Sequence, residues 1–268
     1  MGMTTLKEMA FLFLCVGLCL ADASGASAPC EDGSTNEAVN GTRGTVEGIV
    51  IYRADPSRPW RYARYYVNEP QKGELAEAVV SLSGGMPGGD SEKGDPATVV
   101  IDQKDFRFIP ETVAIRAGDR VKFQNSDAAV HNVFVFDPGN QFNVHMPAGS
   151  EHIETFKTPG GSRRPMQVGC VYHSAMRAWV YVFDHPHFQV TGPNGCFRMK
   201  NVPPGNYTVE VVHPAGKLRW HKDVEVTAGK PVKLRIELSA DNLVKSIRAQ
   251  ESGDKPPAAT SAPSEEDQ

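Results

Sequence analysis

Several things are scarce in this sequence, and each scarcity removes a class of function. Charge of one sign is not in excess, with 28 Lys and Arg against 32 Asp and Glu in 268 residues. A nucleic-acid partner, which draws on a strong basic excess, is not expected. Long apolar runs are scarce too. The most apolar segment, Met9 to Leu20, has about half of the roughly 20 residues a spanning helix needs, so no membrane span is predicted. With Lys7 ahead of it and Ala21-Asp22-Ala23 behind, it reads as a signal peptide over 1–23 cleaved near Ala23, with a retained anchor as the lesser alternative. Lipidation at Cys15 or Cys19 would need a small residue before the cysteine, and Leu14 and Leu18 stand there. The expected localisation is periplasmic or secreted.

Cysteine is also sparse. Beyond the leader only Cys30, Cys170 and Cys196 remain. An odd number fits one functional thiolate plus one possible disulfide better than a disulfide scaffold. Cys196 reads equally well as a small buried hydrophobe or as a partner of Cys30. Aliphatic residues larger than alanine are missing from Ala249–Gln268, which cannot offset its ordering entropy by burial; 241–268 is expected to be a disordered tail and 24–42 a disordered linker.

No long segment shows a helical period. Short runs rich in Val, Ile, Phe and Tyr recur between turn signals, which predicts an all-β chain. Strands are expected at 46–52, 78–82, 98–101, 112–115, 120–124, 130–136, 152–156, 166–171, 179–183, 188–191, 196–199, 205–212, 222–226 and 232–238. The five glycines of Ser83–Asp95 mark a flexible connector over 84–95. Pro186 marks a second break, so 96–184 is expected to be one compact sandwich.

The strongest local signal is Gly169-Cys170-Val171-Tyr172-His173-Ser174-Ala175-Met176. A tight C-x2-H-x2-M loop can fold a thiolate, an imidazole and a thioether toward one point, as a His₂Cys site with a weak axial Met requires. The missing histidine should come from a distant strand, and His131 in Val130-His131-Asn132-Val133 is the obvious donor. Taken singly, a buried cysteine is usually core and a strand histidine a satisfied polar residue. Together, soft sulfur ligands and two imidazoles select copper. Val133, Val168 and Trp179 are expected to keep water out, and His145, His152, His185, His187, His213 and His221 to play surface and packing roles.

Thr98–Asp184 resembles the plastocyanin, pseudoazurin and amicyanin group of cupredoxins. Two blocks carry the likeness: FRFIPETVAIRAGDRVKFQNSDAAVHNVFVF and the short Cys-His-Met loop. The resemblance implies a Greek-key sandwich holding one type 1 copper ion, with His131, Cys170, His173 and Met176 as ligands. Asn132 would tie the two ligand loops together, and His173 would be the surface-facing ligand. It implies single-electron transfer between protein redox partners and no enzymatic turnover. Multicopper oxidases and nitrite reductases pass electrons through a histidine next to the cysteine, whereas Gly169 and Val171 flank Cys170. His185-Pro186-His187 is weak evidence for such a cluster.

The segment from Phe188 to Leu238 is similar to the carboxypeptidase regulatory-like, transthyretin-like β-sandwich, with Thr191–Phe197 expected as a hairpin and Val202-Pro203-Pro204-Gly205-x-Tyr207 leading a strand. The opening strands of that family are missing there and present earlier, as GTVEGIVIY and AEAVVSLSG. One discontinuous sandwich, 43–83 plus 187–240, is therefore expected, with the copper domain inserted in it. The combination resembles exported bacterial proteins of the methylamine-utilisation type. The segment 58–66, dense in Arg, Tyr and Trp, allows an alternative: a carbohydrate- or protein-binding module at the cell surface in which copper is structural or absent.

Overall fold

Residues 42–53, 67, 69, 71–84 and 94–243 are described by the structure, a computed structural model. The leader, Cys30, the segment 58–66, most of the 84–95 connector and the tail lie outside them. Sixteen strands follow in order: β1 (Gly44–Tyr52), β2 (Val79–Ser83), β3 (Thr98–Lys104), β4 (Arg107–Ile109), β5 (Thr112–Arg116), β6 (Arg120–Asn125), β7 (His131–Val135) and β8 (Phe142–Met146). Then come β9 (Glu151–Thr155), β10 (Met166–Gly169), β11 (Arg177–Phe183), β12 (Phe188–Val190), β13 (Cys196–Val202), β14 (Gly205–His213), β15 (Leu218–Val226) and β16 (Pro231–Leu238). Among the described residues no helix is long and apolar enough to cross a membrane.

The strands form four sheets, ordered β13-β1-β16, β12-β2-β14-β15, β5-β11-β10-β7-β8 and β4-β3-β6-β9. Alternating side chains decide how these stack. Val46, Val50, Phe197 and Ile236 from the first sheet meet Val80, Leu82, Val209 and Val211 from the second in one core. Ile101, Phe108, Val121 and Phe123 from the fourth meet Val133, Val168, Val180 and Val182 from the third in another.

β11 joins the two sandwiches, because both of its faces are apolar. Ala178, Val180 and Val182 enter the core shared with the fourth sheet. Their neighbours Tyr181 and Phe183 pack with Val79 and Val212 of the second sheet, and Trp179, Phe188 and Val190 lean on this seam. Burial there holds the Tyr181 hydroxyl in its neutral form, pushing its pKa up against the opposing charge of Arg219. Arg219 Nη2 donates to the Ser162 carbonyl at 3.1 Å, and the Ser162 hydroxyl bonds Glu210 across the same boundary. The layers therefore run first sheet, second, third, fourth.

β1 pairs in parallel with β16 and antiparallel with β13, and β2 lies between β12 and β14. Gly94 and Pro96 line the same cavity, of about 210 Å³, as Asp184, His185 and Pro186. The two places where the chain passes between the sandwiches thus lie side by side.

The structure corrects three expectations. β4 and β8 are additional strands. Thr191–Phe197 is not a hairpin: β12 pairs with β2 and β13 with β1, so the stretch between them carries the chain from one sheet to another. Trp179 faces the seam, because residue 179 is out of phase with the row 178-180-182 that fills the core beneath the site.

Candidate metal centre

Period-two geometry delivers three of the expected site residues to one end of the third sheet. On β7, His131 heads the row continued by Val133 and Val135; on β10, Met166 and Val168 lead to Cys170 just beyond its end; Met176, just before β11, is in phase with its row Ala178, Val180, Val182. Cys170 and Met176 are buried and His131 is fully buried. The loop between β10 and β11 is closed by the Met176 N–H donating to the His173 carbonyl at 2.9 Å, which turns His173 back over the site. Gly169 makes the approach possible: a Cβ there would lie 2.5 Å from Cζ of Phe134, whose ring covers it.

The donor atoms of His131, Cys170 and His173 lie within 4.8 Å of one another. Nδ1 of His131 is 3.1 Å from Nδ1 of His173, and Cys170 Sγ is 3.7 Å from the same His173 nitrogen. Bonds of about 2.0 Å to nitrogen and 2.3 Å to sulfur allow donors sharing one ion to lie up to about 4.0 Å (N to N) or 4.3 Å (N to S) apart. Both observed spacings fit that limit. Met176 belongs to the same buried cluster as Cys170, and the donor atoms of His131, Cys170 and His173 converge; thiolate, thioether and imidazole are donors that suit copper.

Asp127 was not singled out from the sequence, yet it fixes the chemistry of His131. Its Oδ2 is 2.7 Å from His131 Nε2. A carboxylate only accepts, so the proton sits on Nε2 and the Nδ1 lone pair points toward Cys170 and His173. Burial works against the Asp127 charge, but bonds from the Phe106 N–H, the His131 ring and the Asp105 N–H outweigh it and hold the carboxyl below its ordinary range. The only sequence signal was Asp127 four residues before His131. Asn132 uses both ends of its amide: Oδ1 accepts from the Val171 N–H at 3.2 Å, and Nδ2 donates to Asn143 Oδ1 and the Val144 carbonyl at 2.6 and 2.9 Å. It thus links β7 to the Cys170 loop and to β8.

His173 is half-buried and the more accessible of the two imidazoles. Phe106, also missed from the sequence, stands edge-on to both rings, with centroids 4.9 Å from His173 and 5.4 Å from His131. The remaining histidines are placed elsewhere, with His145 exposed and bonded to the Tyr172 hydroxyl at 3.2 Å, and His213 fully buried in the other sandwich. Cys196 is half-buried and disulfide-bonded, to a partner outside the described residues.

Residues 177–239 match the carboxypeptidase regulatory-like domain family. The matched stretch begins in β11, a strand of the third sheet, and does not include β1 and β2, which pair within the first and second sheets. No curated protein matches the chain. Among solved structures, amicyanin from Paracoccus versutus is similar at 23% identity over 39% of this chain and 97% of its own, with a TM-score of 0.29. A Cu-containing nitrite reductase (NirK) from Thermus scotoductus SA-01 is similar at 22% identity and a TM-score of 0.30; 34% of this chain is covered, and only 23% of the reductase. A purple cupredoxin from Nitrosopumilus maritimus is similar at 20% identity over 32% of this chain and 99% of its own, with a TM-score of 0.27.

Proposed function

We propose that the chain is an exported type 1 copper protein that shuttles single electrons between protein redox partners, with His131, Cys170, His173 and Met176 as ligands. One observation carries the reading: a buried thiol and two imidazole nitrogens lie within 4.8 Å of one another at the end of an apolar core. Copper bound there would supply a one-electron couple. The protein's part is to keep the donors in place. Asp127 sets the His131 tautomer, Asn132 clamps the Cys170 loop, and Val133 and Val168 exclude water. Cys170 would hold the metal as thiolate, and uptake would then be accompanied by loss of the thiol proton.

Four of the large apolar residues exposed to solvent, Phe106, Val130, Val171 and Tyr172, belong to the segments that carry the donors or touch them. They would give a partner protein an apolar seat. Gly169 and Val171 beside Cys170 offer no histidine to lead electrons to a second copper, which favours a carrier over an oxidase or reductase. The strand pairings favour 96–184 as an insertion in a discontinuous 43–83 plus 187–240 sandwich. Because Trp179, Tyr181 and Phe183 cover the seam, a fragment of 96–184 alone should bind copper but self-associate.

The test is a redox titration of the copper-loaded protein. The expected result is one reversible one-electron couple per chain with no turnover of oxygen, nitrite or phenols. Turnover of any of these with more than one tightly bound copper per chain would place the protein among the enzymes instead.

A further inference from the structure

The chain places an aromatic ring where it costs the backbone. β3 and β4 are joined by the two-residue turn Asp105-Phe106, between the paired residues Lys104 and Arg107. Both turn residues have positive φ, 54° and 58°. Such turns favour Asn-Gly or Asp-Gly because both positions are left-handed. A bulky phenylalanine in that conformation persists only where its surroundings hold it there.

Those surroundings are specific. Asp127 accepts the Asp105 N–H on Oδ1 at 2.7 Å and the Phe106 N–H on Oδ2 at 3.0 Å. The same Oδ2 takes the Nε2–H of His131 at 2.7 Å. One carboxylate thus fixes both the turn and the buried imidazole. The Phe106 ring stands nearly perpendicular to both imidazoles, at interplanar angles of 86° and 87°. Phe106 itself is 52% exposed, while His131 beneath it is fully buried. The Phe106 ring stands at the surface and packs edge-on against both imidazoles.

We propose that Phe106 is a fixed aromatic cover over the His131–His173 pair, locked by Asp127, and that it excludes small solvent-borne ligands from the metal position. Only its consequence for the metal rests on the copper reading; the covering of His173 holds with or without metal. Small anions such as azide would be kept from the donor atoms. An approaching partner protein meets the Phe106 ring before the edge of His173.

The experiment labels the metal-free full-length protein with diethyl pyrocarbonate and follows each histidine by mass spectrometry, with the exposed His221 as internal reference. Phe106→Ala should raise the labelling rate of His173 roughly tenfold or more while His221 is unchanged, because the covered state no longer dominates. Phe106→Leu, which keeps bulk on the turn, should fall between. Asp127→Asn should move His173 in the same direction as Phe106→Ala, since the turn loses an acceptor. Equal labelling of His173 in wild type and Phe106→Ala overturns the cover. Azide titration of the copper(II)-loaded proteins reads its consequence: the variant should change spectrum at far lower azide, and identical titrations overturn the exclusion. If neither protein takes up copper, the metal-centre reading fails, and the labelling still decides the cover.

Discussion

Each sandwich buries one histidine completely, and the two have opposite surroundings. His131, at the end of the third sheet, has a carboxylate on one ring nitrogen and faces an imidazole and a thiol on the other. His213, at the end of β14, accepts the Gly216 N–H on Nδ1 at 3.0 Å. No acidic side chain is among the groups that shift it; burial pushes its pKa down to about 3, and a bond with the Ala76 backbone opposes this only in part. Burial by itself therefore says little about what a histidine does. The neighbours decide: a carboxylate behind the ring turns it into a directed donor, and backbone partners alone leave it a neutral piece of core.

Substitution separates the two most sharply. His131→Ala should weaken copper binding by more than about a thousandfold, beyond the 10–100-fold typical of a lost outer partner, whereas His213→Asn should leave one copper per chain. Equilibrium competition with a copper chelator measures both, and equal losses would erase the distinction.

The second contrast is in pH. The folded-state pKa of His213 lies below its unfolded value, so the stability it contributes is complete above about pH 6.5 and is lost as pH falls toward 3, on the order of 5 kcal/mol in all. Melting temperature followed from pH 7 to 4 should fall more steeply in wild type than in His213→Asn. Parallel curves would show that burial of His213 is not what acid overcomes.

Asp127→Asn tests the carboxylate directly. It should weaken copper binding about 10–100-fold while leaving the chain folded, read by the same competition. The smallest effect concerns the boundary between the sandwiches. Glu77 accepts the Glu111 N–H at 3.4 Å, and burial, then the Glu111 charge, raises its pKa. Its folded-state pKa lies above the unfolded one, so stability is complete below the unfolded value and is lost as pH rises through the folded one. Glu77→Gln should therefore stabilise the protein at pH 7 by about 1 kcal/mol, measured by denaturant unfolding, and by nothing at pH 4.

The legible parts of the molecule are those governed by period two. The rows ending at His131, Cys170 and Met176 alternate along their strands, and the short loop after Cys170 could only turn back on itself. β11 was legible as a strand, but RAWVYVF is apolar on both faces, and alternation cannot say which face meets which sheet; Trp179 was assigned to the wrong one. β4 has three residues, too few for a period. β8 alternates between half-buried and exposed residues before its one buried methionine, so its apolar signal is weak. Asp127 and Phe106 were hidden for another reason. Their roles arise where a turn, a loop and β7 meet in space, and the turn lacks the glycine that normally announces it.

The central claim is that Cys170 and the two imidazoles bind one copper through a thiolate. The visible absorption spectrum during copper(II) titration of the full-length protein tests it most directly. An intense thiolate-to-copper band should grow to a sharp end point at one equivalent and be absent from Cys170→Ser. A colourless wild-type protein at one equivalent, or a band that survives in Cys170→Ser, would contradict the account.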